Sequence, residues 1–240
     1  MKLNKITKTG LVTLPATLAF AALTSCGGGG GGDAGDDGGT TAAADETGYV
    51  EYSPEFPKPL FQGTPVPVKL PNLETTGTPV KTFKAPAGLT NLAAGKTTTS
   101  SDVAPIFGDV TLVTDGEKDG SDGNYVELAP GQQDITIDLG ASGEIYAVCV
   151  WHFHKAACAY KDVIVQISED ADFSNPTTIF NNDDDDSSGM GIGKDPTYIE
   201  TNHGRIIKAD GVKGQFVRLS SKGNTANEMN HYVEVEVWGK

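Results

Sequence analysis

Basic residues are scarce in this chain: 18 Lys+Arg stand against 32 Asp+Glu in 240 residues, a formal charge of −14 at pH 7. A surface of that sign repels phosphate backbones, and no run of five or six basic residues offsets it, so nucleic acid is excluded as a partner. Helical periodicity is also missing. Beyond residue 90 no window keeps apolar residues at i, i+3, i+4 and i+7 over ten or more positions. Catalytic signatures are absent too, with no Gly-x-Ser-x-Gly, His-Glu-x-x-His or phosphate loop, and the chain is read as non-enzymatic. Cysteine is limited to three residues, and the longest apolar run, residues 11–23, falls short of the roughly 20 residues that span a bilayer. In contrast, 30 Gly and 13 Pro exceed ordinary usage, which places part of the chain outside any packed core.

The excess is positional. Residues 1–25 carry Lys2, Lys5 and Lys8, then the apolar run, then Leu23-Thr24-Ser25 before Cys26, the proportions of an export signal. That ending resembles the lipobox of bacterial lipoproteins, in which the cysteine is lipidated and becomes the first mature residue; a plain signal peptide or a lone membrane anchor is the other reading. Loss of three lysines and no acid would take the charge from −14 to −17. The resemblance implies a protein lipid-anchored in the cell envelope, at the outer membrane or cell surface. Residues 26–52 open with nine glycines and three aspartates in thirteen positions, a flexible, self-repelling tether. Residues 53–89 hold eight of the thirteen prolines with Tyr52, Phe56, Leu60, Phe61 and Phe83 around them. Helix and central strand are forbidden there, leaving an extended arm that either lies against a domain or stands as a stiff stalk.

Residues 90–240 read as all-β. Ile135, Ile137 and Leu139 alternate with Asp134, Thr136 and Asp138, a half-buried strand. Residues 144–153 are apolar on both faces, as a central strand requires, and 162–168, 214–219 and 231–238 alternate again. With weaker strands at 107–113, 125–128 and 177–180, the expectation is a jelly-roll β-sandwich of about eight strands, bounded near Thr90.

Asn91-Leu92-Ala93, Val113-Thr114-Asp115-Gly116, the ITIDLG of 135–140, the VIVQISED of 163–170 followed by Phe173, the FVRL of 216–219 and the EVEVWG of 234–239 occur in that order. The set resembles the discoidin, or coagulation-factor type C, domain, a galactose-binding-like fold akin to family 32 carbohydrate-binding modules. The resemblance implies a two-sheet jelly roll, ligand binding through loops at one end, and a structural Ca²⁺. By the same resemblance the ion would be held by Asp115 and Glu234, with the carbonyls of Leu112, Glu117 and Val233. The loop here is longer and more acidic than the family's, so Asp119 or Asp122 could substitute. A solvated Gly/Asp turn is the alternative.

Asp183-Asp184-Asp185-Asp186 suggests a second cation site, but adjacent aspartates splay apart, and the run is read as an exposed acidic loop. In Trp151-His152-Phe153-His154 the two histidines share a face. They could pack inside the sandwich, join a further ligand from His203, His231 or Cys158 on zinc, or, for His154, meet a sugar hydroxyl. Carbohydrate recognition combines aromatic faces with planar polar groups. The loop candidates are His154, Tyr160, Arg205, Asn227, Asn230 and His231, with Tyr198, His203 and Asn224 of the same kinds; Arg205 is one of only two arginines. Cys149 and Cys158 either form a disulfide or stay as thiols. Two functions remain open: a surface lipoprotein that binds carbohydrate or glycoconjugate, with structural calcium, and an adhesive or structural envelope protein that binds another protein.

Overall fold

A computed structural model describes residues 48–60, 67–75, 78–121 and 123–240. The export signal, Cys26, the glycine-rich stretch up to residue 47 and Asp122 lie outside the described residues.

The chain forms β1 (Tyr49–Tyr52), β2 (Phe83–Pro86), β3 (Thr90–Asn91), β4 (Thr97–Ser100), a 3-10 helix (Val110–Thr114), β5 (Val126–Leu128), β6 (Gln133–His152), β7 (Ile164–Ser168), β8 (Thr177–Asn181), β9 (Arg205–Ser221) and β10 (Asn230–Gly239). Every strand pairing is antiparallel. The fold is an all-β sandwich of jelly-roll type, built on one long ribbon, β6 with β9, that bends back on itself. Their register breaks between Asp138 and Gly143 and again between Ile145 and Ala147. Asp210 (φ 51°) and Gly211 (φ 85°) turn the partner strand at the same level, left-handed conformations that glycine adopts freely and aspartate tolerates.

Each half of the ribbon anchors a layer. Residues 133–138 and 216–221 pair with β4 on one side and with β7 on the other, and β7 in turn carries β8. Residues 145–151 and 205–212 pair with β10, which carries β3 and β5. Between the layers lies a core of Ile135, Ile137, Val148, Val150, Val165, Val217, Leu219, Val235 and Val237. Because the ribbon doubles back, the beginning and end of β6 meet: Ser221 beside Gln133 bonds the hydroxyl of Tyr232, which pairs with His152. The loops 101–107, 129–132, 153–163, 182–204 and 222–229 therefore gather at one end.

The 144–153 strand is apolar on both faces because both are covered. Val148 and Val150 enter the inter-layer core, while Ala147, Cys149 and Trp151 face outward and are still buried. Phe83, Ala85 and Leu89 cover them, with Tyr52, Phe56 and Trp238 packed alongside. Tyr52 stacks on Phe83 at 5.4 Å and Phe83 meets Trp238 edge-on at 6.1 Å. Burial of a side chain the size of Phe83 stabilises by roughly 1.5–3 kcal/mol, so Tyr52, Phe56 and the 83–89 segment are part of the folded body. Pairing of Tyr52 with Phe83 closes residues 53–82 into a loop. The boundary expected near Thr90 thus moves back to at least residue 48.

Other differences have local causes. The two strands expected at 133–139 and 144–153 are one, and 214–219 is the end of β9; Asp210-Gly211 and Gly214 look like turn residues but sit inside a ladder that continues through the bend. Instead of a strand at 107–113, Asp109 caps the 3-10 helix by accepting from Thr111 N at 2.9 Å. Ten strands stand among the described residues, where about eight were expected.

Candidate functional site at the loop end of the sandwich

The residues read as calcium ligands are brought together in part. Glu234, on β10, is fully buried; its Oε2 accepts from Gly116 N at 3.1 Å and its Oε1 has no hydrogen-bond partner among the described residues. Burial pushes its carboxyl up to about 8, the Gly116 bond pulls it down, and the neighbouring charges of Asp115 and Glu236 add to the rise. Asp115 is exposed and Glu117 likewise, while Leu112 is half-buried and Val233 buried. Asp119 Oδ1 is committed to its own loop, accepting from Ser121 N and Ser121 Oγ, both at 2.8 Å. A buried carboxylate oxygen without a donor, beside a second carboxylate, is chemistry that a hard cation would complete.

The residues read as sugar contacts separate into inner and outer groups. Tyr160, His231 and Asn230 are buried at 2%, 5% and 0% exposure, and their polar atoms are spent inside. The Tyr160 hydroxyl lies 2.8 Å from His231 Nδ1, and His231 Nε2 lies 2.9 Å from Glu127. Asn230 accepts from Ser221 Oγ and Gly223 N and donates to the carbonyls of Ala129 and Gly131. All three, read from the sequence as ligand contacts, are placed as internal struts of the loop end: β10 begins at Asn230, and Tyr160 is held against Asn224 by an isolated bridge. Asn227 is exposed but accepts from Asn224 Nδ2 and Met229 N as a turn residue. Arg205 opens β9, reaches Glu74 of the arm at 2.9 Å and lies 4.7 Å over the ring of Tyr198.

His154 is buried at 3%, with Nε2 2.8 Å from the Lys118 carbonyl and Nδ1 without a partner among the described residues. His152 lies in the interior, stacked on Tyr160 at 4.3 Å, with Nδ1 2.7 Å from Glu200 Oε1. Glu200 is a residue that the sequence reading missed. It is 3% exposed, and its Oε2 has no partner among the described residues. Nothing local in Tyr198-Ile199-Glu200 marks it, because its partner comes from a strand 48 residues away.

The arm supplies a wall to three depressions at this end. One, of about 300 Å³, runs between Leu73, Glu74, Pro79 and Val80 of the arm and Tyr198, Thr201, Arg205 and Ile206. A second, of about 370 Å³, lies between Pro71, Asn72 and the acidic loop around Asp184 and Asp185. The third, of about 140 Å³, is bounded by Pro59, Leu60, His154, Glu200, Thr201 and Asn202. The arm is tied down by Asn202 Nδ2 donating to the Pro57 carbonyl at 2.8 Å, Glu74 N to Thr197 O at 2.8 Å and Asn72 Nδ2 to Asn182 O at 2.8 Å.

The acidic loop differs from its reading at one position. Asp184, Asp185 and Asp186 are exposed, but Asp183 is fully buried and accepts from the backbone N–H groups of Asp185, Ser187 and Ser188. Burial alone would push its carboxyl up; the bonds from Ser188, Asp185 and Ser187 outweigh that and hold it below the usual range. Carboxylate oxygens of Asp162, Asp183 and Asp185 lie within 4.8 Å of one another. Cys149 and Cys158 are buried free thiols, and burial raises that of Cys158 to about 12.

No protein-family description matches this sequence, and no curated protein does. Among solved structures it is similar to chitosan-binding module 1 of a chitosanase/glucanase from Paenibacillus sp. IK-5, at 22% identity and a TM-score of 0.45 over 62% of this chain and 99% of that one. The family 32 carbohydrate-binding module of AlyQ, in complex with 4,5-unsaturated mannuronic acid, gives 16%, 0.42, 59% and 92% in the same terms. A fucose-binding module of Streptococcus pneumoniae gives 21%, 0.42, 62% and 96%.

Proposed function

We propose that this chain is a non-catalytic carbohydrate-binding protein of the cell envelope, anchored by lipid on Cys26, with its sandwich presenting a saccharide site at the loop end. The observation that carries the reading is the depression spanned by Arg205 and Glu74. There a planar guanidinium–carboxylate pair, joining β9 to the arm, stands beside the apolar surface of Pro79 and of Val80, which is 55% exposed. Planar polar groups next to an apolar ledge suit a sugar ring, whose hydroxyls lie at its edge and whose C–H groups form its faces. A glycan array followed by calorimetry on the full chain tests this. Binding with Kd below about 1 mM, weakened about tenfold by Arg205→Ala, is expected; no glycan binding, with a protein partner recovered instead, overturns it.

In the same reading Ca²⁺ is structural, held by Glu234 and Asp115 with carbonyls of Leu112, Glu117 and Val233, the unpartnered Oε1 of Glu234 being the support for it. The ion would supply the positive charge that the pair lacks. A second reading, an adhesive or structural protein contacting another protein, draws on Val103, Ile106 and Phe107, which are 95%, 54% and 44% exposed on one loop at this end.

A further inference from the structure

Lys118 links the arm to the loop that carries Asp115. Its Nζ lies 2.5 Å from Glu236 Oε1, donates to the Glu55 carbonyl at 3.2 Å and stands 4.9 Å from the centre of the Trp151 ring. The side chain is 12% exposed, so these contacts are screened less than those of an open surface pair. Its own carbonyl lies 2.8 Å from His154 Nε2, which donates to it because a carbonyl only accepts. Two residues earlier, Gly116 N reaches Glu234 Oε2. Within three residues the loop therefore touches the buried carboxylate, the arm and a side chain that borders the depression of about 140 Å³. The arm is equally tied on its own side. Phe56 packs on Trp151 at 6.5 Å and on His203 at 5.2 Å, while Asn202 accepts from Trp151 Nε1 and donates to Pro57 O. Glu236 accepts from Trp238 Nε1 on its other oxygen, and Trp238 packs against Tyr52 and Phe83. Pro59 and Leu60 continue from there into the wall of the depression.

We infer that Lys118 is a positioning residue that makes docking of the arm on the outer face of β6 depend on a divalent cation held by Glu234 and Asp115. The inference rests on the calcium reading above and gives that ion a regulatory consequence. Asp115 is exposed and stands three residues before Lys118. A cation shared between it and buried Glu234 would fix the start of the loop, which Glu234 otherwise holds through the single Gly116 bond. A fixed backbone at 115–117 lowers the entropy that Lys118 must give up to reach Glu236 and Glu55. Its contacts, and the arm seated on them, are then favoured. Glu236 supplies Lys118 with a carboxylate of its own, so the ammonium and the cation do not compete for Glu234. The effect is mutual by linkage: the factor by which the cation favours the docked arm is the factor by which the docked arm favours the cation. Since Pro59 and Leu60 follow Phe56, the same equilibrium sets whether the small depression beside His154 and Thr201 has its outer wall.

Hydrogen exchange over residues 53–60 of the full chain, with calcium and with chelator, tests the coupling beside a calorimetric titration of calcium. Calcium is expected to slow exchange across the arm about fivefold, within the ordinary range of coupling between sites. Phe56→Ala, which favours the released arm and touches no cation ligand, should weaken calcium binding by about three- to fivefold through the same linkage. Lys118→Met keeps the apolar stem and removes the ammonium. It should still bind calcium, with arm exchange that no longer responds to the ion. Should one variant fail to fold, the other decides. Unchanged calcium affinity in Phe56→Ala overturns the coupling and spares the calcium reading. So does arm exchange in the parent that calcium leaves alone or accelerates, and so does calcium-dependent protection that survives Lys118→Met, which would report general stabilisation. A parent chain that binds no calcium in the titration removes both.

Discussion

Residues 115–121 and 181–189 are two stretches where the chain gathers carboxylates, and each is organised around one buried acid. In the second, Asp183 is buried but three backbone N–H groups converge on it, and its carboxyl is held below the usual range. In the first, the buried acid comes from outside the loop: Glu234 arrives from β10, finds the single N–H of Gly116, and is pushed up to about 8. Burial raises both carboxyls and does not by itself set the charge state. The number of donors converging on the carboxylate does, and where they are too few a proton or a cation has to make up the difference.

The largest effect that could break this contrast is a pH dependence of stability in chelator-treated protein. Folded Glu234 keeps its proton up to about 8, whereas the unfolded side chain releases it near 4.5. The folded state then binds more protons across that window, so stability falls as pH rises, by at most about 5 kcal/mol at 1.36 kcal/mol per unit. His231 and His203 act in the opposite sense below their ordinary 6.5, since burial suppresses their protonation. The clean window is thus about 6.5 to 8. Urea unfolding there should show the decline, Glu234→Gln should flatten it, and calcium should raise the melting temperature of the parent while leaving Glu234→Gln unmoved. A decline that persists in Glu234→Gln would assign the slope to another group.

Next in size is Asp183→Ala, which removes the buried acceptor of three backbone N–H groups and should cost about 2 kcal/mol in urea unfolding, with Asp183→Asn intermediate. If the two substitutions cost nothing, the loop is not organised by its buried member. Smallest is Asp184→Ala, at an exposed position of the same run, expected within about 0.5 kcal/mol of the parent. A large cost there would erase the distinction between neighbours in one acidic string.

Much of the scaffold was legible because period-two patterning is a local property. Ile135/Ile137 and Val235/Val237 alternate with polar residues and lie in the inter-layer core as that pattern requires. Strand ends were harder: Asp210-Gly211 carries turn chemistry yet sits at a bend inside one continuous ladder. At the site, residue type is ambiguous. Tyr, His and Asn suit sugar hydroxyls and suit internal hydrogen bonding equally well, and Tyr160, His231 and Asn230 took the second use. His154 and Arg205 do line cavities, but the partners that define them, Glu200 and Glu74, lie 46 and 131 residues away in sequence.

By itself the sequence determined the all-β class of residues 90–240, the acidic balance, the lack of helical periodicity beyond residue 90 and the positions of most strands, since each follows from composition or from alternation within a few residues. Only the tertiary structure decided that Tyr52, Phe56, Phe83, Ala85 and Leu89 cover the outer face of β6, that backbone donors keep the buried Asp183 ionised while Glu234 holds its proton, and that His154 and Glu200 border one depression. Those outcomes depend on which groups meet across the bent ribbon and on how many donors each buried acid finds there, and neither quantity is written in any short stretch of chain.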